Sequence, residues 1–307
     1  MHLLRCPITS ARLVQDGAFL RSVAGNERYR INDRGVPLFA SHSLSHDALS
    51  QQRHYEKIAK AYVTNLNYPH TQEYMAHLDR VLLDVVDPNR LSTVAELCCG
   101  CGEALKLLRG KFAYAVGVDV TESMLDIAVV QHAAEKVTFI QGDATRLPLA
   151  SDAFDSVFML GGIHHINDRV TLFREVHRIL KSGGRFYFRE PVNDFLLWRA
   201  IRWLIYRVAP ALDHTTERPL VRDETVPVLE RQGLVCREYH THGFLGFCLF
   251  MNSDVLVFNR AFRFVPGVRW ITRMATFFDE WALQLPGLQS AGLQVVGVAE
   301  KPIRSAK

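Results

Sequence analysis

The sequence predicts an α/β fold built on a doubly wound, mostly parallel sheet of seven strands. Three observations predict it. Short apolar runs alternate with helix-period segments between about residues 91 and 190. The first run, Val94–Leu97, ends in a bend of small residues, Cys98-Cys99-Gly100-Cys101-Gly102, where a backbone can approach a ligand closely. Three further signals follow in order: Gly117-Val118-Asp119-Val120, Gly142-Asp143-Ala144 and Phe154-Asp155-Ser156-Val157-Phe158. Asp119 stands 17 positions after Gly102. That is near the ~20-residue offset at which a carboxylate reaches ribose hydroxyls in a dinucleotide-type βαβ unit. The series points to an adenosine-containing ligand.

Along the chain, residues 1–40 read as a small β unit with turns at Gly17 and Gly25-Asn26, closed by Tyr29–Leu38. Residues 41–50 are a Ser/His linker ahead of a helical region at 51–86. There Tyr55, Ile58, Ala59 and Tyr62 fall at i, i+3, i+4 and i+7, and Tyr68-Pro69-His70-Thr71 breaks the helix. Strands are expected at 93–97, 114–119, 137–140, 155–160 and 185–189. Helices are expected at 103–110, 122–134 and 168–180, with Thr121-Glu122-Ser123 as a cap and Lys181-Ser182-Gly183-Gly184 as a stop. Phe195–Pro210 is amphipathic, with Arg199, Arg202 and Arg207 on one side and no acid. A helix at 221–232 and strands at 233–242 and 293–299 complete the fold. The stretch 243–292 is an insert between the last two strands, rich in Phe, Trp and Arg. The chain divides into a β unit and linker (1–45) and a larger domain (46–307). The latter comprises a helical cap (51–90), a ligand-binding core (91–190) and an acceptor side (191–307).

Composition narrows the function. A net charge of +4, from 36 basic against 32 acidic residues, is too mild to imply nucleic acid without a local basic patch. No secretory signal opens the sequence, and no apolar run approaches the ~20 residues that span a bilayer. Cys98, Cys99 and Cys101 crowd into the ligand bend, where no disulfide framework would sit; free thiols imply a reducing, cytoplasmic setting.

The ordered series resembles that of class I S-adenosylmethionine-dependent methyltransferases, in particular the small-molecule branch of the quinone-biosynthesis type, over residues 51–190. The resemblance implies a Rossmann-like sheet and S-adenosylmethionine as cofactor. It assigns Glu96, Cys98 and Gly100 to the amino acid end of the cofactor, Asp119 to the ribose diol and Asp143 to the adenine amino group. Tyr55, Tyr62, Val120, Met124, Ala144 and Leu160 would complete the cofactor site, the two tyrosines lying on a helix like the one that closes over the cofactor in that branch. A core-facing aromatic stripe is the alternative for Tyr55 and Tyr62. Where the family has its first glycine, this chain has Cys98. The N-terminal unit resembles a zinc-ribbon-derived segment, but Cys6 alone remains of the four ligands a ribbon needs, so no metal is expected.

Chemistry is expected after the fourth strand, at Leu160-Gly161-Gly162-Ile163-His164-His165-Ile166. A neutral imidazole suits removal of a hydroxyl proton, so His164 and His165 are candidate bases, not separable from sequence. Glu190, at the tip of the fifth strand, is a further candidate, with a carboxylate bound to loop amides as its alternative. Asp155 opens a strand and reads as structural; His214, His240 and His242 fall on the acceptor side. The arginine-aromatic stretches admit three readings: a membrane-surface helix, a roof over an apolar acceptor pocket, or helices packed on the sheet with solvated arginines. The leading function is methyl transfer, chiefly to oxygen, on a bulky and largely apolar small molecule. The alternatives are rRNA or tRNA base methylation and a non-catalytic cofactor-binding partner subunit.

Overall fold

A computed structural model describes residues 3–41, 44–208, 218–251 and 257–303. His214 and the side chains of Ile58, Ala59, Tyr62, Arg202, Arg207 and Phe258 lie outside the described residues.

The N-terminal unit is an antiparallel meander of β1 (Leu13–Asp16), β2 (Phe19–Ser22) and β3 (Arg28–Arg30). Gly17, at φ +58°, makes the tight turn between the first two strands. Tyr29 and Leu20 are buried, and Tyr29 meets the thiol of Cys6 at 3.1 Å. Among the described residues no group of three or more His, Cys, Asp or Glu is arranged to hold a metal. The unit packs against the edge of the main sheet: Leu38 forms an isolated parallel bridge to Gln141, Leu4 bridges Leu149, and Leu4, Leu20 and Tyr29 share a core with Ile140 and Leu147. It thereby covers a strand edge that would otherwise be exposed.

Two helices, α1 (His46–Leu66) and α2 (Pro69–Val85), precede the sheet. The expected linker at 41–50 is thus shorter, because Asp47 in the first turn lets the helix begin at His46. The break at Tyr68-Pro69 stands, with Pro69 in the first turn of α2. The sheet follows as β4 (Thr93–Leu97), β5 (Tyr114–Asp119), β6 (Val137–Gln141), β7 (Phe154–Leu160), β8 (Leu180–Pro191), β9 (Val235–His242) and β10 (Gln294–Glu300). Its order is β6-β5-β4-β7-β8-β10-β9; β10 runs antiparallel to both neighbours and the remaining pairs are parallel. This is the Rossmann-like, seven-stranded α/β sheet. Between the strands lie α3 (Glu103–Leu107), α4 (Glu122–Gln131) and α5 (Arg169–Ile179). The chain turns from one half of the sheet to the other between β6 and β7, so the ends of β4, β5 and β7 open on a crevice.

Two local expectations are corrected. Lys181–Gly184 does not stop the preceding helix from outside the sheet but lies within β8, where the register with β7 shifts. Gly183 takes φ +76° and a Cβ on Gly184 would fall 2.9 Å from the Lys181 carbonyl, so the glycine pair forms a strand irregularity. Thr121 precedes α4, yet its side chain makes no capping bond. Asp155 is structural: it accepts from Thr93 N at 2.9 Å and pairs with Lys181 at 2.8 Å.

Beyond β8 come α6 (Leu196–Val208), α7 (Arg222–Arg231), α8 (Leu245–Met251), a 3-10 segment (Val257–Phe264) and α9 (Val268–Leu283). The insert packs on the outer face of α2, where Tyr74 and Leu78 meet Phe247, Phe250, Val268 and Leu293. Asp279 of α9 is buried and accepts from Tyr74 Oη and from the amides of Phe244, Gly246 and Phe247, which begin α8.

Candidate active site

One cavity of about 460 Å³ opens at the carboxyl ends of β4, β5 and β7, beneath α1 and α2. Its walls include Tyr55, Glu96, Cys98, Gly100, Asp119, Val120, Met124, Asp143, Ala144 and Leu160. The cofactor candidates whose side chains are described therefore converge on a single space.

The bend after β4 is held by carboxylates. Asp119 accepts the Gly100 N–H at Oδ2 and the Thr121 N–H at Oδ1, both at 2.8 Å. Burial pushes its pKa upward while these amides pull the other way. Glu96 accepts the Ala104 and Leu105 amides at 2.8 and 3.0 Å, satisfying the orphan N–H groups that open α3. Its carboxyl is pushed up to about 8 by burial, despite those two bonds. Glu96 thus shapes the bend from behind as well as lining the cavity. Gly100 (φ +50°) has nothing within 4 Å of an added Cβ, leaving an open cradle over its backbone. Cys98 also takes a left-handed φ of 50°. Burial raises the thiols of Cys98 and Cys99 well above their ordinary value and that of Cys101 to about 11, so none is poised as a thiolate nucleophile.

Asp143 accepts from Thr145 N (2.8 Å) and Thr145 Oγ1 (2.7 Å) at Oδ1, and from Ser45 N (2.8 Å) at Oδ2. The Ser45 bond ties the start of α1 to the cavity. Asp47 continues the tie, accepting from the backbone and side chain of Asn167 at 2.7 and 2.8 Å. Gln52 donates to the Val120 carbonyl at 3.0 Å. The first half of α1 is a strap across the mouth, fastened by polar groups.

The two adjacent histidines lie in the short 3-10 turn Ile163–His165 with their ring centroids 3.8 Å apart, yet their ring nitrogens meet different partners. His165 lines the cavity, and its Nε2 lies 3.4 Å from Tyr55 Oη. His164 does not line it; its Nδ1 faces Glu190 Oε2 at 2.8 Å. Glu190 is fully buried and also accepts the Gly162 and Ile163 amides at 2.7 and 2.8 Å. The structure therefore corrects the reading of Glu190 as a base. Its oxygens are taken up by the loop amides and His164, and it is not on the cavity wall, which is the arrangement of the alternative reading, a carboxylate bound to loop amides.

Of the three readings of the insert, a roof over this cavity is the one its described residues do not form: none of 243–292 lines it. Its inner face is used against α2, whose other side supplies Gln72, Met75, Ala76 and Asp79 to the wall. His242 pairs with Glu280 and His240 is exposed; neither reaches the cavity. The sequence does not single out Ser45, Asp47 or Asp79. Asp47 carried a usable signal, an acid where a helix could start; Asp79 is one of several acids on a helix and carried none.

Residues 95–188 match the model of a protein family described as a methyltransferase domain. Over those residues the chain carries a methyltransferase domain, on the fold of the class I S-adenosylmethionine-dependent enzymes. Among curated proteins, this chain is 34% identical over 99 residues to the demethylmenaquinone methyltransferase of Lactococcus lactis. That match covers 30% of this chain and 39% of the relative. It is 29% identical over 136 residues to the demethylmenaquinone methyltransferase of Staphylococcus aureus, covering 43% and 56%. The match thus spans about half or less of these relatives. Among solved structures, a chain of the complex between the Haloferax volcanii Trm112 methyltransferase activator and a methyltransferase aligns with TM-score 0.54 at 17% identity, over 85% of this chain and 99% of that one. The cyclase SpnF aligns with TM-score 0.58 at 17% identity, over 83% and 96%. Both share the fold.

The cavity residues fit the cofactor. Asp119 and Asp143 are buried carboxylates that line one space, and the Gly100 backbone leaves room that a side chain would fill. S-adenosylmethionine, when bound, supplies a methyl group already activated on a sulfonium. The bend from Cys98 to Gly102, with Asp119 and Asp143, would hold it.

Proposed function

We propose that this chain methylates a hydroxyl of a bulky, largely apolar small molecule, with His165 as the base. The observation that carries the reading is that His165 lines the same cavity as Asp119 and Asp143. Its Nε2 takes the proton of the acceptor hydroxyl, directly or through the Tyr55 hydroxyl 3.4 Å away. Glu190 and His164 act behind it, fixing the turn so that little reorganisation accompanies the reaction. Met75, Ala76, Leu107, Leu160 and Ile166 give the cavity an apolar wall suited to a ring or chain. All six cysteines are free thiols, in keeping with a reducing, cytoplasmic setting.

A second reading is favoured by the relatives named as demethylmenaquinone methyltransferases: transfer to an activated ring carbon of a quinone-like acceptor. The same residues would then orient the ring and accept the proton released from carbon.

The test combines calorimetry with S-adenosylmethionine and turnover with radiolabelled cofactor on reduced quinones and aromatic alcohols of increasing chain length. Asp119→Ala should weaken cofactor binding at least several-fold. His165→Gln should lower kcat while leaving cofactor affinity in place. NMR of the product separates oxygen from carbon methylation. Full activity in both His164→Gln and His165→Gln removes the imidazole from the reaction, and no heat with the cofactor removes the activity altogether.

A further inference from the structure

The insert is two-faced, and only one face has been used. On α9, Val268, Thr272, Thr276, Asp279 and Leu283 are buried against the fold. On the opposite side Trp270, Phe277 and Trp281 recur at helical spacing, with Ile271 and Phe278 beside them. Trp270 is 65% exposed, Phe277 61%, Phe278 58% and Trp281 55%; Phe264, just before the helix, is 75% exposed. A contiguous aromatic face of this kind, with four large aromatics on one helix each more than half exposed, marks an interaction surface.

Its charge is one-signed. No acid occurs from Leu256 to Phe277, while Arg260, Arg263, Arg269 and Arg273 do. Arg269 and Arg273 reach Glu73 of α2 yet keep side-chain exposures of 54% and 65%. The acids that follow are withdrawn: Asp279 is buried, its carboxylate turned inward to the amides that begin α8, and Glu280 lies between His77 and His242.

We propose that this face docks on an anionic lipid surface, with the aromatic stripe of α9 seated among the headgroups and the arginines against their phosphates. Tryptophan and phenylalanine on one helix side with basic flanks are what an interfacial helix presents. A second copy is the poorer occupant, because a two-fold contact would set the same arginines against each other. The association is peripheral: among the described residues no helix is long and apolar enough to cross a membrane. The inference goes beyond the catalytic reading and is tested without turnover.

The experiment is flotation of the full-length protein with vesicles of phosphatidylcholine alone and of phosphatidylcholine with phosphatidylglycerol, at low and high salt. The wild type should float with the anionic vesicles only, and salt should weaken the binding. The triple variant Trp270→Ser, Phe277→Ser, Trp281→Ser should bind at least about tenfold less, with unchanged elution volume, circular dichroism and cofactor binding. Arg260→Gln with Arg263→Gln, which leaves the aromatic stripe intact, should lose part of the binding. The proposal is overturned by no flotation, by equal flotation with neutral vesicles, or by a wild-type dimer in gel filtration that the aromatic variant abolishes.

Discussion

His164 Nδ1 lies 2.8 Å from Glu190 Oε2, and the same buried carboxylate accepts the amides of Gly162 and Ile163. One side chain from the tip of β8 thereby fixes the turn that carries His165 into the cavity. A carboxylate so enclosed is a positioning group. Its removal should be felt in the chemistry through the turn.

Glu190→Gln keeps the shape but presents an N–H₂ to amides that need an acceptor. It should cost about 2 kcal/mol of stability, the penalty of leaving a buried donor unmatched. The value of kcat should fall more than KM rises, and cofactor affinity should change little. Denaturant unfolding and steady-state kinetics read the two effects. A variant with native stability and native kcat would mean the turn holds its form unaided.

Glu280 fastens the insert to the body of the protein. Burial raises its pKa, but N–H donation from His242 at 2.9 Å and His77 at 3.1 Å outweighs burial and leaves it at about 2. A carboxylate lowered in this way stabilises the fold fully above its ordinary value of about 4.5 and loses that contribution as pH falls toward 2. Glu280→Gln should therefore be less stable than wild type at pH 7, with a gap that narrows below about pH 4.5. Unfolding measured from pH 7 down to the acid limit of folding tests this. A gap independent of pH would separate the carboxylate charge from the stability of the insert.

Much of the core is legible in the sequence because its signals are local. Val94–Leu97 and Tyr114–Asp119 are apolar runs bounded by turns, and the bend after β4 is a block of small residues whose carboxylate partner lies one strand away. The rest depends on contacts between distant residues. Nothing near Asp47 announces Asn167, and nothing near Ser45 announces Asp143. His164 and His165 share every local signal, yet a single tight turn sends one ring to Glu190 and the other to the cavity. The aromatic richness of 243–292 is plain, but its meaning depends on which face α2 takes. With Tyr74 and Leu78 covering the inner side, the remaining aromatics face outward.

Arg189, near the end of β8, is only 5% exposed and donates to Asp79 Oδ1 at 2.6 Å, with Glu103 at 3.7 Å. The pair joins α2 to the sheet and neutralises a carboxylate on the cavity wall. Arg189→Met alone strands that half-buried carboxylate and should cost about 1–2 kcal/mol, between the values for an exposed and a fully buried pair. Adding Asp79→Leu should recover most of the loss, since apolar replacements of a buried pair are often neutral. Denaturant unfolding of the two single variants and the double variant gives the coupling directly. Purely additive losses would show that the two charges do not support each other.

Cys98 and Gly162 are in tight steric contact at the cavity wall. Cys98 stands at φ 50°, a left-handed conformation that costs a non-glycine residue about 1 kcal/mol. An added Cβ on Gly162 would lie 2.7 Å from the Cys98 Cβ and 2.7 Å from Met159 Cε. The second clash is with the end of a flexible side chain and can be relieved; the first is not, because both atoms are fixed to backbone. Gly162→Ala should accordingly destabilise by about 1–3 kcal/mol, the range for forcing a methyl into a packed site. Cys98→Gly should be neutral or stabilising and should preserve cofactor binding, as it removes both the strain and the blocking atom. Combining them should restore much of what Gly162→Ala loses, giving a coupling above the additive limit of about 0.5 kcal/mol. Thermal and chemical unfolding of all four proteins supplies the cycle. If the double variant is no more stable than Gly162→Ala alone, the Cys98 Cβ is not what requires glycine at 162, and the requirement rests on Met159.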